Sequence, residues 1–198
     1  MADRNLGNWK PLALDEVVRL FAGFPARWWI SGGLALELHL GRSWRLHEDS
    51  DVGVLRQDSP ALWELLSGWD VEVAAAGRLS PWRGSTLRVE ASQNNLWCRE
   101  SADRPWCLDV TLGEGDEECW IYRRDPTLRV RWDEAVLRSE GGIPYLAPEL
   151  QLLFKSKDVR PKDDVDAHEV IPGLSGDRRA RLHALLPADH PWRAPLAR

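Results

Sequence analysis

The spacing of hydrophobic and polar positions predicts helices and strands that alternate in the first third of the chain. In residues 12–22 the apolar side chains recur at helical spacing and fall near one face, which is typical of an amphipathic helix. The same reading of pattern and of helix-start residues predicts a strand at 27–31, a helix at 34–40, a loop at 41–50, a strand at 51–55 and a helix from Ser59-Pro60 to about residue 67.

The pattern changes character near residue 146, because strands dominate before it and helices after it. Further strands are predicted at 71–75, 86–91, 106–112, 119–123, 128–131 and 144–146. Helices are predicted at 148–156, 162–171 and 175–186. We therefore expect an α/β (α+β) fold, with a mixed central sheet flanked by helices. We expect a core at 1–146 and a helical extension at 147–198 packed on it, with a single domain throughout as the alternative.

Composition restricts the class of protein. The chain has 198 residues, of which 43% are hydrophobic and 29% charged, as in ordinary globular proteins. No apolar run approaches the roughly 18 residues of a membrane helix, and the first ten residues have no apolar segment typical of a secretory signal. The three cysteines match no zinc-binding spacing. These features predict a reduced, cytoplasmic protein without a membrane partner, and they leave its oligomeric state open.

Charge and tryptophan content indicate the kind of ligand. The net charge of −5 argues against a nucleic-acid partner, because phosphate backbones favour basic surfaces. The 12 tryptophans predict that some of them line a pocket rather than the core alone. The same charge is neutral about small-molecule substrates and favours cationic ones among them.

Two glycines follow the first predicted strand and precede a helix. A strand that ends at Ser31 and continues through Gly32 and Gly33 exposes backbone N–H groups at a helix N-terminus, where a phosphate group fits. The alternative is an ordinary tight turn between strand and helix.

Two aspartates flank Ser50 at the start of the next predicted strand. The stretch Asp49-Ser50-Asp51 opens this strand, so alternation places the carboxylates of Asp49 and Asp51 on the same face. Like charges at this distance repel each other unless a cation lies between them, and Mg²⁺ prefers such oxygen ligands. A solvated strand edge is the alternative.

A third carboxylate, Asp109, lies within the predicted strand at 106–112. It falls on the opposite face from the apolar positions of that strand, where an unpaired charge is costly unless it serves a site. If this strand lies beside the one that starts at Asp51, three carboxylates converge. That arrangement suits two-metal nucleotidyl transfer, in which Asp109 also accepts the proton of the attacking hydroxyl. An ion pair with a nearby arginine is the alternative.

These motifs resemble the DNA polymerase β-like nucleotidyltransferase superfamily, and more closely the aminoglycoside 2″-nucleotidyltransferase-like family. The family reads "GGWALDLxxGRxTRxHxDxD" where this chain has "GGLALELHLGRSWRLHEDSD". The matched positions are Gly32, Gly33, Ala35, Leu36, Gly41, Arg42, Arg45, His47, Asp49 and Asp51. The stretch 145–172 is also similar to the end of these proteins. The chain departs from the family at Leu34, where Trp is usual, and at Trp44, where Thr is usual; both changes affect the expected acceptor pocket.

The resemblance implies a nucleotidyltransferase that uses two Mg²⁺ ions and ATP or another NTP. It implies Asp49, Asp51 and Asp109 as catalytic residues and metal ligands, and a small-molecule hydroxyl as acceptor, with aminoglycoside-like antibiotics as candidates. The alternatives are a toxin-type enzyme acting on tRNA or protein and an inactive nucleotide-binding relative.

The lysines and Arg45 are further candidates for phosphate contacts. Only four of the 26 basic residues are lysines, and three of those four lie between residues 155 and 162. Lysine serves phosphate as a compact point charge, and Lys155 follows an apolar helical face from which it can reach inward. We therefore expect Ser31, Gly32, Gly33, Arg45 and Lys155 to bind the nucleotide. A solvated charged loop is the alternative for the lysines, and Asp163 and Asp166 are candidates to orient them.

Overall fold

A computed structural model describes residues 7–90 and 92–197, and within them it contains one mixed ten-stranded sheet with flanking helices. The strands are β1 Trp28–Ile30, β2 Asp51–Leu55, β3 Asp70–Ala75, β4 Arg78–Pro81, β5 Asn95–Arg99, β6 Leu108–Gly115, β7 Cys119–Ile121, β8 Arg129–Arg131, β9 Val136–Arg138 and β10 Pro144–Leu146. The helices are α1 Leu14–Phe21, α2 Gly32–Leu40, α3 Ser59–Leu65, α4 Trp132–Ala135, α5 Pro148–Lys155, α6 Pro161–Val170, α7 Gly176–Leu185 and α8 Arg193–Leu196. The predicted fold class is confirmed.

The sheet runs in the order β4-β3-β5-β6-β2-β1-β10-β9, and β7 and β8 extend from β6 as a separate antiparallel ladder. Strands β2 and β6 are parallel neighbours, although more than fifty residues separate them along the chain. Their flanking partners, β1 beside β2 and β5 beside β6, are antiparallel. The topology therefore places the two aspartate-bearing strands side by side at the centre of the sheet.

The sequence predictions failed for several short elements. No strand lies at 86–90, so that prediction is wrong for these residues, and Ala91 lies outside the described part. Strands β4, β5 and β9 and the short helices α4 and α8 were not predicted. Strand β5 begins with Asn95, a turn-favouring residue, yet it pairs along its length with β3 on one side and β6 on the other. Pairing on both edges outweighs the weak local preference.

Two apolar clusters lie on the two faces of the sheet. One joins α1 and α3 to alternate strand residues such as Val52 and Val110. The other joins α2, β7, β8 and the C-terminal helices over Trp29 and Leu55. On this second face the helices cover the β1–β2–β10 side, whereas the β3–β5–β6 side presents half-buried polar residues. A partly covered face of this kind leaves a cleft at the boundary, where β2 meets β6.

The helical extension packs on the core. The second apolar cluster contains residues from both sides of position 146, from Trp29 and Trp120 to Leu150 and Trp192. The boundary between 146 and 147 as a division of domains stays a prediction. Among the described residues, the model has no helix with the length and apolar character needed to cross a membrane.

Candidate functional site

Two of the three predicted carboxylates are adjacent. In the parallel pairing of β2 and β6, Asp51 lies directly opposite Asp109. Residues opposite each other in neighbouring strands place their side chains on the same face. Both side chains are half-buried and lie on the polar face, while their neighbours Val52 and Val110 are fully buried on the other. The sequence predicted that Asp51 and Asp109 converge if their strands are neighbours. The strands are neighbours, and the two carboxylates do converge.

The environment of the pair disfavours two negative charges. Burial, followed by repulsion from Asp109 and Asp49, raises the pKa of Asp51 well above its usual value. Burial raises the pKa of Asp109 to about 7, against hydrogen bonds from Asn95 and Trp97 that lower it. The Asn95 side chain donates to Oδ1 of Asp109 at 2.8 Å. A carboxylate pair with raised pKa values is typical of a site that binds a cation or transfers a proton.

Asp49 does not share the strand geometry expected for it. Strand β2 begins at Asp51, and Asp49 lies in a bend before it. The alternation argument therefore does not apply to Asp49, because the backbone is not extended there. Its charge still reaches the pair, since it raises the pKa of both Asp51 and Asp109. Its role as a metal ligand stays a proposal.

The donor set at the pair fits a magnesium ion bound together with a polyphosphate. In the described ranges, no three His, Cys, Asp or Glu side chains are grouped closely enough to hold a metal ion. Asp51 and Asp109 nevertheless supply carboxylate oxygens, and neither forms an ion pair with a basic side chain in that part of the chain. Mg²⁺ is usually held by one or two carboxylates plus substrate phosphates. The two carboxylates therefore fit an ion whose remaining ligands come from the substrate.

The turn at Gly32 and Gly33 leaves room for side chains of the protein itself. Gly32 has a φ of +67°, and a Cβ there would lie 2.0 Å from Oδ2 of Asp51. A Cβ on Gly33 would lie 2.2 Å from Nη2 of Arg45. The N–H of Gly32 donates to Oε1 of Gln151 at 2.9 Å. Glycine is thus needed at both positions for close approach of charged side chains, and the predicted phosphate contact of Ser31, Gly32 and Gly33 stays a proposal.

The predicted phosphate-binding cations Arg45 and Lys155 are held by carboxylates. Arg45 binds both oxygens of Asp166, at 2.8 and 2.9 Å. The ammonium of Lys155 lies 2.9 Å from Asp163 and 3.0 Å from Asp166. Asp163 also accepts from Arg160. This ion-pair network, made of Arg45, Lys155, Arg160, Asp163 and Asp166, joins the loop before β2 to α5 and α6, so Asp163 and Asp166 do contact the lysine. Lys155 and the two carboxylates are buried, whereas Arg160 is exposed.

Several other residues of the 41–50 loop also pair within the protein. Glu37 accepts from the Ser43 hydroxyl at 2.7 Å and from the Trp44 backbone N–H at 3.1 Å. Nε2 of His47 lies 3.0 Å from Glu37, although not in hydrogen-bonding geometry. Lys162 lies 3.2 Å from the exposed Glu48. These contacts hold the loop over the glycine turn.

A cavity of about 380 Å³ opens beside Asp51, within the size range of ligand sites. Trp29 and Trp120 line it, as the tryptophan content predicted for some tryptophans. Ser31 and Gly32 also line it. Its charged lining residues are Asp51, Arg123, Arg124, Lys155, Asp158, Arg160 and Asp163. The cavity therefore combines an aromatic floor with several basic groups beside one carboxylate of the pair.

Three lining or neighbouring residues had no predicted role. Arg123 and Arg124 follow β7 and reach the cavity because β7 folds back on β6. Trp97 lies opposite Asp109 in β5. Two basic residues directly after a strand are a weak signal, and the position of Trp97 depends on a strand that the pattern did not reveal. Sheet pairing placed all three at the site.

The comparisons with known proteins agree with the predicted resemblance. The family model described as aminoglycoside-2″-adenylyltransferase matches residues 13–91, a stretch that contains the glycine turn and Asp51 but ends before Asp109. No curated protein sequence matches the chain.

Several solved structures share the fold at low sequence identity. The lincomycin-bound lincosamide antibiotic adenylyltransferase LnuA has a TM-score of 0.57 and 19% identity, covering 81% of this chain and 98% of that one. The antibiotic-resistance factor ANT(2″)-Ia in solution has a TM-score of 0.56 and 14% identity, covering 85% of each chain. ANT(2″)-Ia in complex with adenylyl-2″-tobramycin has a TM-score of 0.56 and 13% identity, covering 93% of this chain and 94% of that one. The nucleotidyltransferase fold is confirmed.

Proposed function

Since the chain shares its fold with adenylyltransferases and matches an adenylyltransferase family model, we propose that it transfers a nucleoside monophosphate from an NTP to a hydroxyl group of a small molecule. The observation that carries the proposal is the side-by-side placement of Asp51 and Asp109 next to a cavity lined by basic residues. We propose ATP as the donor, and aminoglycosides or lincosamides as the first acceptor classes to test.

Asp51 and Asp109 are the proposed metal ligands, with Asp49 as a third candidate. Magnesium bound there would neutralise charge on the phosphates in the transition state. Gly32 brings the backbone of the turn within contact of Asp51, so the proposed phosphate contact of the turn lies beside a proposed metal ligand. The reaction joins the acceptor oxygen to the α-phosphorus, breaks the bond from that phosphorus to the bridging oxygen, and releases pyrophosphate.

Asp109 is the proposed base for the acceptor proton. Burial raises its pKa to about 7 without metal, and a bound cation would lower that pKa, which leaves the carboxylate ionised and able to accept a proton at neutral pH. The hydrogen bond from Asn95 to Oδ1, together with one from Trp97, orients the carboxylate. Asp109 does not line the cavity itself, so it is placed to face an acceptor that approaches from the other side of the pair.

The open side of the sheet is the proposed acceptor surface. Register places Glu72, Trp97, Asp109 and Asp51 in one row across β3, β5, β6 and β2. Trp97 is half-buried, and the edge-on contact with Trp9, 5.0 Å between centroids, supports its ring. An indole platform between two carboxylates suits a cationic acceptor that carries hydroxyl groups.

Transfer of label from α-labelled ATP, with Mg²⁺ and a panel of aminoglycosides and lincosamides, tests the function. We expect at least one acceptor to become labelled while pyrophosphate is released in equal amount. Other NTPs in the same assay give the base preference. Label transfer to none of the acceptors with any NTP, by protein that melts cooperatively, would contradict the proposal.

Replacing Glu72 by Gln is expected to weaken binding of cationic acceptors. The loss of one half-exposed charge raises the acceptor KM about two- to fivefold, because such ion pairs contribute up to about 1 kcal/mol. The KM for ATP and kcat are expected to stay unchanged, since Glu72 lies beyond Asp109 on the side away from the cavity. Initial-rate kinetics with each substrate varied in turn measure both constants.

The matched control is Glu64→Gln, which removes the same charge from an exposed position on α3. It is expected to leave all constants unchanged. An unaltered acceptor KM in Glu72→Gln would show that the acceptor does not bind at β3.

A further inference from the structure

The basic residues that line the cavity differ in whether the protein already neutralises them. Lys155 and Arg160 belong to the ion-pair network with Asp163. Arg124 is exposed and donates to the backbone carbonyl of Phe154 at 2.8 Å. Arg123 is half-buried and, within the described part of the chain, forms no ion pair. Its polar contact there is a long hydrogen bond, at 3.3 Å, to the carbonyl of Leu112.

The position of Arg123 is costly in the absence of an anion. Burial, with repulsion from Arg124 and Arg56, lowers the pKa of its guanidinium. The group lies 5.2 Å from the ring centroid of Phe154, which holds its side chain against the cavity wall. Glu114 and Asp109 attract the guanidinium without forming an ion pair with it. A partly desolvated cation of this kind is stabilised when an anion enters beside it.

The geometry of the guanidinium selects the anion. Arginine presents its donors in a planar fork that matches phosphate oxygens two at a time. Arg123 and Asp51 line the same cavity, so this cavity offers room for the outer phosphates of an NTP whose α-phosphate is near Asp51. The cations predicted from sequence for this task, Arg45 and Lys155, are instead neutralised by Asp166 and Asp163.

We propose that Arg123 binds the β- and γ-phosphates of the NTP and positions them for departure as pyrophosphate. This inference rests on the proposed function, because it assigns a residue to the donor of that reaction. Arg123 keeps its proton throughout; it binds the phosphate oxygens before transfer and the pyrophosphate that carries away the electron pair of the broken bond. In this proposal the phosphates are bound by Arg123, on the β7 side of the cavity, whereas the ion-pair network around Lys155 stabilises the fold.

Calorimetry with MgATP and with magnesium tripolyphosphate, on the wild-type protein and three variants, tests the inference. Arg123→Met keeps the apolar stem against Phe154 and removes the charge. We expect it to bind both ligands about 10- to 100-fold more weakly, as loss of a charge-assisted pair of hydrogen bonds implies. Arg123→Lys keeps the charge but lacks the planar pair of donors, so its affinity for both ligands is expected to lie between that of the wild type and that of Arg123→Met. Arg131→Met, which removes an exposed arginine from β8, is the matched control and is expected to bind as the wild type does.

A steady-state measurement distinguishes phosphate binding from a structural role. Arg123→Met is expected to raise the KM for ATP while the acceptor KM stays unchanged, and thermal melting shows whether each variant is folded. If Arg123→Met does not fold, Arg123→Lys alone decides, and wild-type affinity in that folded variant overturns the inference. Wild-type affinity for tripolyphosphate in a folded Arg123→Met overturns it equally and leaves the proposed function intact. Wild-type protein that binds neither ligand overturns the proposed function as well.

Discussion

Asp51→Asn is expected to abolish transfer and at the same time to stabilise the metal-free protein. The variant keeps the shape of the side chain but loses the charge that would hold the ion. Electrostatic stabilisation by a bound metal contributes several kcal/mol to the transition state, so the rate is expected to fall by at least about 10³-fold. The labelled-ATP assay measures this loss of rate once an acceptor is known. Before that, calorimetry shows whether the variant has lost affinity for MgATP.

The gain in stability follows from the repulsion within the pair. Asp51 lies opposite Asp109 and feels the charge of Asp49, and burial adds to the cost of ionising it. Removing one charge is expected to raise the free energy of unfolding at pH 7.5 by about 1 kcal/mol without metal. Urea denaturation in the presence of a chelator measures it.

The contribution of Asp51 and Asp109 to the free energy of unfolding decreases as the pH rises. The pKa values of Asp51 and Asp109 are raised in the folded protein, so the folded state binds more protons than the unfolded one between about pH 4, the ordinary value, and about pH 7, the value for Asp109. Their stabilising contribution is complete below pH 4 and is lost as the pH rises through this range. In Asp51→Asn the loss over the same interval is expected to be smaller.

Asp103→Asn removes a charge from the exposed loop after β5 and is the control for Asp51→Asn. It is expected to leave activity as in the wild type. A hydrogen bond from Ser101 lowers the pKa of Asp103, so its effect on the pH dependence of stability is confined to pH values below about 4. A stability of Asp51→Asn below that of the wild type at pH 7.5 without metal would show that the pair is not under electrostatic strain. Retention of full activity would remove Asp51 from the mechanism.

Among the proposed substitutions, Asp166→Asn is expected to lower the free energy of unfolding the most. Asp166 is fully buried, and its carboxylate accepts from Trp44 Nε1 at 3.1 Å and binds Arg45 and Lys155. An amide at position 166 accepts on one atom only and leaves two buried cations without full compensation. Breaking a buried ion pair from one side costs about 3–5 kcal/mol, and we expect a loss of that size in urea denaturation. Asp189→Asn, an exposed position after α7, is the control.

The same network predicts sensitivity to acid. Burial alone would raise the pKa of Asp166, but the hydrogen bonds and charges of Arg45 and Lys155 outweigh it, and the pKa is lowered. The pKa of Asp163 is lowered in the same way, against burial, by Arg160 and Lys155. Their contribution is present above the ordinary value, about pH 4, and is lost as the pH falls through the folded-state values. A loss below about 1 kcal/mol in Asp166→Asn would show that the network does not hold α6 against the loop.

Much of the fold could be predicted from local pattern. Alternation located β2 at Asp51–Leu55 and β10 at Pro144–Leu146 with the bounds that the structure has, and helix-start residues located α3 and α5 closely. The motif around Gly32 and Asp51 identified the family resemblance and the fold. These inferences succeed because propensity and periodicity act over a few residues, all of which are visible in a short stretch of sequence.

The sequence by itself determined the chemical groups of this protein and the elements that carry them: a glycine turn after a strand, and aspartates on the polar faces of β2 and β6. Only the tertiary structure decided which groups meet. It set Asp51 opposite Asp109, neutralised Arg45 with Asp166, 121 positions away, and left Arg123 beside the cavity without an ion pair among the described residues. Such pairings depend on strand order and helix packing, whose free energy is distributed over the whole core, so no local stretch of the sequence encodes them.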